Sequence, residues 1–538
     1  MGSERVPRID RALLTSVWPW VAAAISGGLL VFCYAPFSWG SLAFLALAPL
    51  TAAIWFSQEW SRREPLRLFL LGYLTGFVFF LGSLSWVHTV TVPGLLLLVA
   101  YLALYPGLWA IFTGLVARPL PRAGSEEPVW FGSWSNLRAA ALAAAAWVAL
   151  EWVRGWMFSG FGWNSLGVAL VDNLPLIQIA DITGVAGVSF LLVMVSAVAA
   201  ITVLRLRMEI ARGKMRGHYD FSIVVVLVAA AFSYGARKLT APPTGGEDLT
   251  FAAVQANIPI NEKRDPARDA EILAIHDRMS ATALAMHPDL LIWPEAATPH
   301  PLFLDQRSWQ AVSKIAKGHG GDFLLGTVHY DDFGDFNSAA LLTGHGSQVQ
   351  LYHKMHLVAF GEYVPFRESF PLFAWIVGDL VPEDFDAGRT AEVMDLAVRP
   401  IRVGPLICFE DTLPYIARKF ATGGAQVFVN LTNDAWFGRS AGPEQHRANA
   451  VFRTIETRLP MIRAANSGVT CVIDTFGRET HRLEETSGNT FFDGILFGKV
   501  SVPQTPSPTF YTLNGDLFAK VCAAFAAAAC FVRLRRGI

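Results

Sequence analysis

Gly404-Pro405-Leu406-Ile407-Cys408-Phe409-Glu410-Asp411 joins a strand-forming run, Ile401 to Ile407, to a cysteine, two acids and, shortly after, Pro414. A thiol at the end of a buried strand, with polar residues just beyond, sits where a strand-to-helix turn presents a nucleophile. The competing reading is a core cysteine, since free Cys is among the most buried residue types. The choice depends on what the remaining chain sets beside Cys408.

Of the 538 residues, 53% are hydrophobic and only 16% charged, with a mean hydropathy of +0.38. Soluble domains carry about 25% charged residues, so much of this chain is solvated by something other than water. A net charge of -1 lacks the basic footprint of a nucleic-acid binder. Five cysteines are too few and scattered for a disulfide framework. Cys33, Cys522 and Cys530 fall in apolar runs, and Cys471 lies in the alternating stretch Val469 to Ile473, which reads as strand core. Cys408 is the exception.

The apolar runs predict a polytopic helical membrane part of about eight spans, near 13–32, 40–56, 68–87, 94–116, 139–153, 183–204, 221–236 and 515–532. Several are shorter than the roughly 20 residues that cross a hydrocarbon core. The first is not a cleavable signal peptide, because no small-residue cleavage site follows it. Lys and Arg cluster on one side of this arrangement, from Arg5 to Arg536 and densest at Arg205–Arg216. By the positive-inside rule both termini are then cytoplasmic. The expected division is a membrane domain over 1–236, an extracytoplasmic domain over 237–513, and a last span with a short tail over 514–538.

In the outer part, apolar strands repeatedly run into polar residues. Leu249 to Asn257 ends in amides, Leu290-Leu291-Ile292-Trp293-Pro294 runs into Glu295, and Gln348 to Tyr352 leads into Lys354. Further strands are expected at Phe323–Val328, Asn337–Leu342, Val427–Thr432, Met461–Ala465 and Val469–Ile473, with helices at Asp265–Met286 and Pro443–Arg458. Strands alternating with helices, and ending in polar groups, indicate an α/β sandwich with its site at strand ends. Glu295, Lys354 and Cys408 suit one chemistry: a carboxylate base deprotonates the thiol, and an ammonium lowers the thiol pKa and stabilises an oxyanion. Singly, an exposed Glu or Lys is usually solvated surface; three on separate strand ends carry more weight.

Trp293-Pro294-Glu295, His353-Lys354 and Ile407-Cys408-Phe409-Glu410 resemble the three signature segments of the nitrilase superfamily. With Phe360-Gly361-Glu362-Tyr363-Val364-Pro365, Asn433-Asp434-Ala435-Trp436-Phe437-Gly438 and the flanking spans, the chain is similar to the apolipoprotein N-acyltransferase family. That resemblance implies a nitrilase-like αββα sandwich, with Glu295 as general base, Lys354 as oxyanion stabiliser and Cys408 as nucleophile. Glu362, Glu410 and Asn337 would support them. No cofactor or metal is implied. The family often has Tyr after the cysteine and Trp after the first-loop lysine; here Phe409 and Arg264 stand there.

The activity implied is acyl transfer in the bacterial inner membrane, from a phospholipid through a Cys408 thioester to the N-terminal amine of a diacylglyceryl apolipoprotein. Arg154, at the outer end of a span beside Glu151, either snorkels to headgroups or grips a lipid phosphate. Trp163, Phe409, Trp436 and Trp375 are the expected lipid-contacting aromatics. Trp375 belongs to the apolar stretch Phe366 to Phe385, read as a lid dipping into the membrane. Two other readings remain: a membrane-anchored amidase using water, and a lipid transporter or binding protein. Eight spans exceed what an anchor needs, and a transporter usually carries ionisable groups or broken helices at mid-membrane.

Overall fold

The computed structural model describes residues 11–57, 63–120, 129–240, 246–365, 367, 369 and 384–535. The expected lid, including Trp375, lies outside them.

Twelve strands among the described residues form two six-stranded sheets. β1 (Gly246–Gln255), β2 (Leu290–Ile292), β3 (Asp322–Asp331), β4 (Gly334–Thr343) and β5 (Gln348–His353) belong to one. β6 (Met394–Asp395), β7 (Arg402–Ile407), β8 (Val427–Thr432), β9 (Met461–Ala465), β10 (Cys471–Ile473) and β11 (Glu479–Arg482) make the other. β12 (Gly494–Pro503) returns to the first sheet and pairs antiparallel with β1 along its whole length. The orders are β12-β1-β2-β3-β4-β5 and β11-β10-β9-β8-β7-β6. β1, β2 and β3 run parallel, as do β7, β8 and β9. Glu295 follows β2 and Cys408 follows β7, so both stand at the C-terminal edge of a parallel set, where open α/β sheets place their ligands.

Strand alternation explains the layering. In β1, Phe251 and Ala253 join the core shared between the sheets. Ala252 and Val254 turn the other way, onto the helices Asp269–Leu284 and Gln306–Gly318. A strand buried on both faces reads as a continuous apolar run, as Leu290-Leu291-Ile292 does. Each fully buried Leu, Ile or Phe contributes about 1.5–3 kcal/mol. The helices Pro414–Thr422 and Gly442–Thr457 accompany the second sheet, completing an αββα sandwich. The expected helix over Asp265–Met286 starts later, at Asp269, because Pro266 heads a separate 3₁₀ turn capped by Asp265.

Among the described residues, five helices are long and apolar enough to cross a membrane: Glu64–Ser83, Val92–Leu115, Val185–Arg212, Tyr219–Leu239 and Leu517–Arg535. Val17–Phe32 and Gly40–Phe56 are shorter apolar segments, the latter a 3₁₀ turn followed by the helix Ala48–Phe56. Ser133–Arg154 is a 22-residue helix rich in alanine, packed between Val185–Arg212 and Leu517–Arg535. These helices fit a membrane domain. Close packing through small residues holds them, as expected where lipid removes the hydrophobic drive between helices. A Cβ on Gly72 would lie 2.1 Å from the Pro106 carbonyl oxygen. Near their charged ends, Arg205 is fully buried and donates to both oxygens of Asp220 at 2.9 and 3.1 Å. Arg205, counted by sequence among loop charges, is thus an interior ion-pair partner.

Candidate active site

Three strand ends bring together Glu295 and Lys354, both buried, and Cys408, which is half-buried. Glu295 follows the buried Trp293-Pro294 turn, and Ala296 takes a positive φ of 44°. Gly326 on β3 admits that turn: a Cβ there would lie 2.5 Å from the Pro294 oxygen and 2.6 Å from Glu295 Cα. Lys354 leaves β5 with its N–H donated to the Asn337 carbonyl at 2.8 Å. Cys408 leaves β7 at φ 51°, a left-handed conformation uncommon for a residue with a side chain. Backbone outliers of this kind cluster at active sites.

Asn337 ties the cluster together. Its side-chain N–H groups donate to Glu295 Oε1 and Glu362 Oε1, each at 2.8 Å. Lys354 Nζ lies 2.8 Å from Glu362 Oε2 and 3.7 Å from Glu295 Oε1. Glu362 Oε2 also accepts from the Val358 N–H at 2.8 Å. Glu295 Oε2 is buried and has no hydrogen-bond partner among the described residues, which leaves an acceptor free for a proton. Burial works against the Lys354 ammonium, but Glu362 and Glu295 outweigh it and hold the group charged, above its ordinary range. Burial, then Glu295, push the Cys408 thiol well up, and Lys354 pulls it back. Burial thus favours the thiol form of Cys408. Lys263 donates from Nζ to the Glu295 main-chain oxygen at 3.0 Å, and burial lowers its pKa to about 8.

Glu410 anchors the nucleophile turn instead of facing the cluster. It is fully buried and accepts from Tyr352 Oη (2.7 Å) and from the N–H groups of Met355 (2.8 Å), His356 (3.2 Å) and Ile407 (2.9 Å). Burial raises it to about 7 against the pull of those donors and Lys354. It so binds the turn after β5 to the end of β7, fixing Lys354 relative to Cys408.

The aromatic candidates divide. Phe409 stacks on Trp163 (6.1 Å between centroids, 7° between planes), Phe161 and His356. Trp163 is only 1% exposed, wedged between Phe409, His446, Trp86 and Phe437. Trp436 is partly exposed, and the Arg264 guanidinium lies 5.1 Å over its ring. Arg154 does not snorkel. It is 3% exposed, with its guanidinium 5.4 Å over the Phe80 ring, in a narrow cavity beside Glu151, Tyr34 and Asn164. Its neighbour Glu151 accepts from the Trp147 indole and the Leu166 N–H.

Four charged groups meet behind Cys408: His446, Asp434, Asp411 and Arg463. His446 Nδ1 lies 2.9 Å from Asp434 Oδ1, and its Nε2 is 2.8 Å from Asp411 Oδ1 and 3.2 Å from the Cys408 carbonyl oxygen. Arg463 pairs with Asp411, to which Asn430 also donates. Burial opposes a charge on His446, but Asp411 and Asp434 outweigh burial and Arg463 and lift it to about 9. A base raised on folding contributes stability in full below its ordinary value of 6.5 and loses it as pH rises through about 9. The melting temperature is expected to fall by a few degrees between pH 6.5 and 9.5. His446→Gln should flatten that decline; a parallel slope in the variant would refute the assignment.

As for metal ligands, His329, Asp331 and His353 bring three donor atoms within 4.8 Å of one another. The His329 and His353 rings stack 5.2 Å apart and 12° from parallel.

A strand-end Cys–Lys–Glu cluster on an αββα sandwich defines the carbon–nitrogen hydrolase class, and the Carbon-nitrogen hydrolase family model matches residues 250–495. A second model, the Apolipoprotein N-acyltransferase N-terminal domain, matches residues 26–198. An apolipoprotein N-acyltransferase of Geobacter metallireducens is 35% identical over 537 residues, covering 96% of this chain and 95% of that protein. One of Methylococcus capsulatus is 33% identical over 531 residues, covering 95% and 96%. The chain belongs to the apolipoprotein N-acyltransferase family. Among solved structures, an amidase from Nesterenkonia sp. AN1 is 16% identical, with a TM-score of 0.36, covering 52% of this chain and 99% of that one.

Proposed function

We propose that the protein acylates the N-terminal amine of diacylglyceryl-modified apolipoproteins, with a membrane phospholipid as donor. The observation that carries this reading is the nucleophile turn itself. Cys408 lies between a carboxylate–lysine cluster on one side and, through Phe409 and Trp163, a domain of apolar helices on the other. Both substrates are lipids, and withdrawing each CH₂ from the bilayer costs about 0.8 kcal/mol. An acylating thiol is useful only beside the membrane.

In the first half-reaction the Cys408 thiol gives its proton to Glu295 as sulfur attacks the ester carbonyl of the phospholipid. Lys354, held by Glu362, faces the oxyanion. Collapse forms the thioester, and the proton leaves with the lysophospholipid alkoxide. In the second, the apolipoprotein amine attacks the thioester, Glu295 takes a proton from it, and the regenerated thiol closes the cycle with an amide as product. Asn337 and Glu410 position these groups. Phe409 and Trp436 line the approach, and Trp163 supports Phe409 by stacking on it. Arg154, a buried cation at an outer helix end, would attract the donor phosphate.

In this reading residues 1–236 form the membrane domain, 237–513 the extracytoplasmic catalytic domain, and 514–538 a last span with a cytoplasmic tail. Eight spans would put both termini on one side, the cytoplasmic side of a bacterial inner membrane by the loop charges, with the site at the outer leaflet.

The test is intact-protein mass spectrometry after mixing purified protein with phospholipid. An acyl adduct on Cys408 should appear and be discharged by a diacylglyceryl peptide, but only slowly by water. Rapid loss to water would instead mark a membrane-anchored amidase, and no adduct at all would favour a lipid-binding protein.

A further inference from the structure

The helix Gly442–Thr457 begins beside the membrane half and passes behind the nucleophile, and two consecutive residues in its first turns face both. Gln445 is 1% exposed. Its Oε1 accepts from the indole N–H of Trp86 (3.1 Å) and Trp163 (2.9 Å) and from Asn164 Nδ2 (3.2 Å). Its Nε2 donates to the carbonyl oxygens of Ala35 and Ser83, both at 2.9 Å. Indole N–H groups only donate and main-chain oxygens only accept, so the amide has one orientation. One side chain from the catalytic domain thus closes five contacts to three separate segments of the membrane half. Burial of so many polar groups makes the arrangement all-or-none, because any group left without its partner stays desolvated and unpaired.

The next residue reaches the nucleophile. His446 Nε2 donates to the carbonyl oxygen of Cys408 at 3.2 Å, so it grips the backbone of a residue held in the left-handed region. A second route runs through Trp163, which donates to Gln445, leans on the His446 ring at 5.2 Å and stacks flat on Phe409. The carbonyl of Cys408 and the ring that follows it are therefore both fixed by groups that meet at Gln445.

We infer that Gln445, acting through His446 and Trp163, is the positioning residue by which the membrane half sets where Cys408 stands. This rests on the reading of Cys408 as the acyl carrier. The chemistry gives such a joint a purpose. A water-borne reagent can approach a thiol along many lines, but an ester held in a bilayer arrives at a height and direction dictated by the membrane half. Near-attack geometry needs the reacting atoms about 3–3.5 Å apart, and a misplacement near 1 Å can cost on the order of 100-fold in rate. A joint between the two halves matters for the lipid reaction and little for a small soluble electrophile.

The experiment compares two reactions of the same thiol in the full-length protein. Acylation of Cys408 is followed by mass spectrometry in mixed micelles of phosphatidylethanolamine and phosphatidylglycerol. Alkylation of Cys408 is followed with iodoacetamide. Gln445→Ala is expected to slow acylation about tenfold or more at saturating phospholipid, with alkylation within about twofold of the unchanged protein. Gln445→Glu keeps an acceptor for the three donors but presents a carboxylate oxygen to the Ala35 and Ser83 carbonyls, and should show the same split. It carries the test should the alanine variant not fold. Equal loss of acylation and alkylation would mean a merely structural residue, and unchanged acylation would mean no joint; either overturns the inference. Failure of the unchanged protein to form the adduct would instead overturn the acyl-carrier reading on which the joint rests.

Discussion

Cys408→Ala is expected to abolish acyl transfer, by on the order of 10⁴-fold or more, while leaving the fold intact. Nucleophile and base act as one unit, so removing the nucleophile alone costs nearly as much as removing the whole set. The stability effect should stay within about 1 kcal/mol, since the change deletes one sulfur from a partly exposed site and retains a Cβ. Cys408→Ser separates geometry from reactivity. A serine hydroxyl fits the same turn, but its proton is far harder to remove than a thiol's. Burial already pushes the thiol well above its ordinary range, and a hydroxyl starts far higher. The serine variant should therefore fold, bind lipid and remain essentially inactive. Turnover of a diacylglyceryl peptide, read beside thermal unfolding, checks both variants. Substantial turnover by Cys408→Ala would move the nucleophile elsewhere.

The residues that sequence reading located most directly are those at the ends of continuous apolar strands. Glu295, Lys354 and Cys408 each interrupt such a run, because a strand buried on both faces must leave the core before it can present a charge. Glu362 stands out by its motif and Asn337 only through the family resemblance; in the structure the Asn337 amide bridges the Glu295 and Glu362 carboxylates. Gln445 and His446 were illegible for a physical reason. They lie on a helix, where a polar pair normally means a solvated face; Gln445's partners come from the membrane half, up to 410 positions away, and His446's are Asp411 and Asp434, brought to it by other segments of the sandwich. Arg154 and Trp163 read as lipid-contacting groups because hydropathy records composition and not which side of a helix meets protein; both are buried. The membrane part was the least legible in number. Its helices pack on one another as much as on lipid, so alanine and glycine stand where a lipid-facing helix would carry larger residues, and Ser133–Arg154 reads as a weak span for that reason. The strand ends and the apolar helices are nonetheless enough to place the chemistry beside a membrane.

Lys354→Met should produce the largest combined loss, in activity and stability together, and the two can be separated. The ammonium is 1% exposed and lies between Glu362 and Glu295. Its removal leaves two carboxylates in a buried pocket, linked only through Asn337. Breaking a buried ion pair on one side costs about 3–5 kcal/mol, since the remaining charge has lost its partner. The sign of the pH effect follows. Without the cation the carboxylates bind protons more tightly in the folded state than in the unfolded state. The variant is then least stable near neutral pH and recovers as pH falls. The catalytic loss has a different origin: an oxyanion without its donor costs about 10²–10³-fold in rate. A second substitution distinguishes them. Lys354→Met combined with Glu362→Gln removes one of the two stranded charges and should regain much of the stability, with a flatter pH dependence, yet none of the turnover. Thermal unfolding between pH 4.5 and 8 measures the first effect, and formation of the Cys408 adduct measures the second. Recovery of adduct formation along with stability would make Lys354 a structural cation and remove it from the reaction.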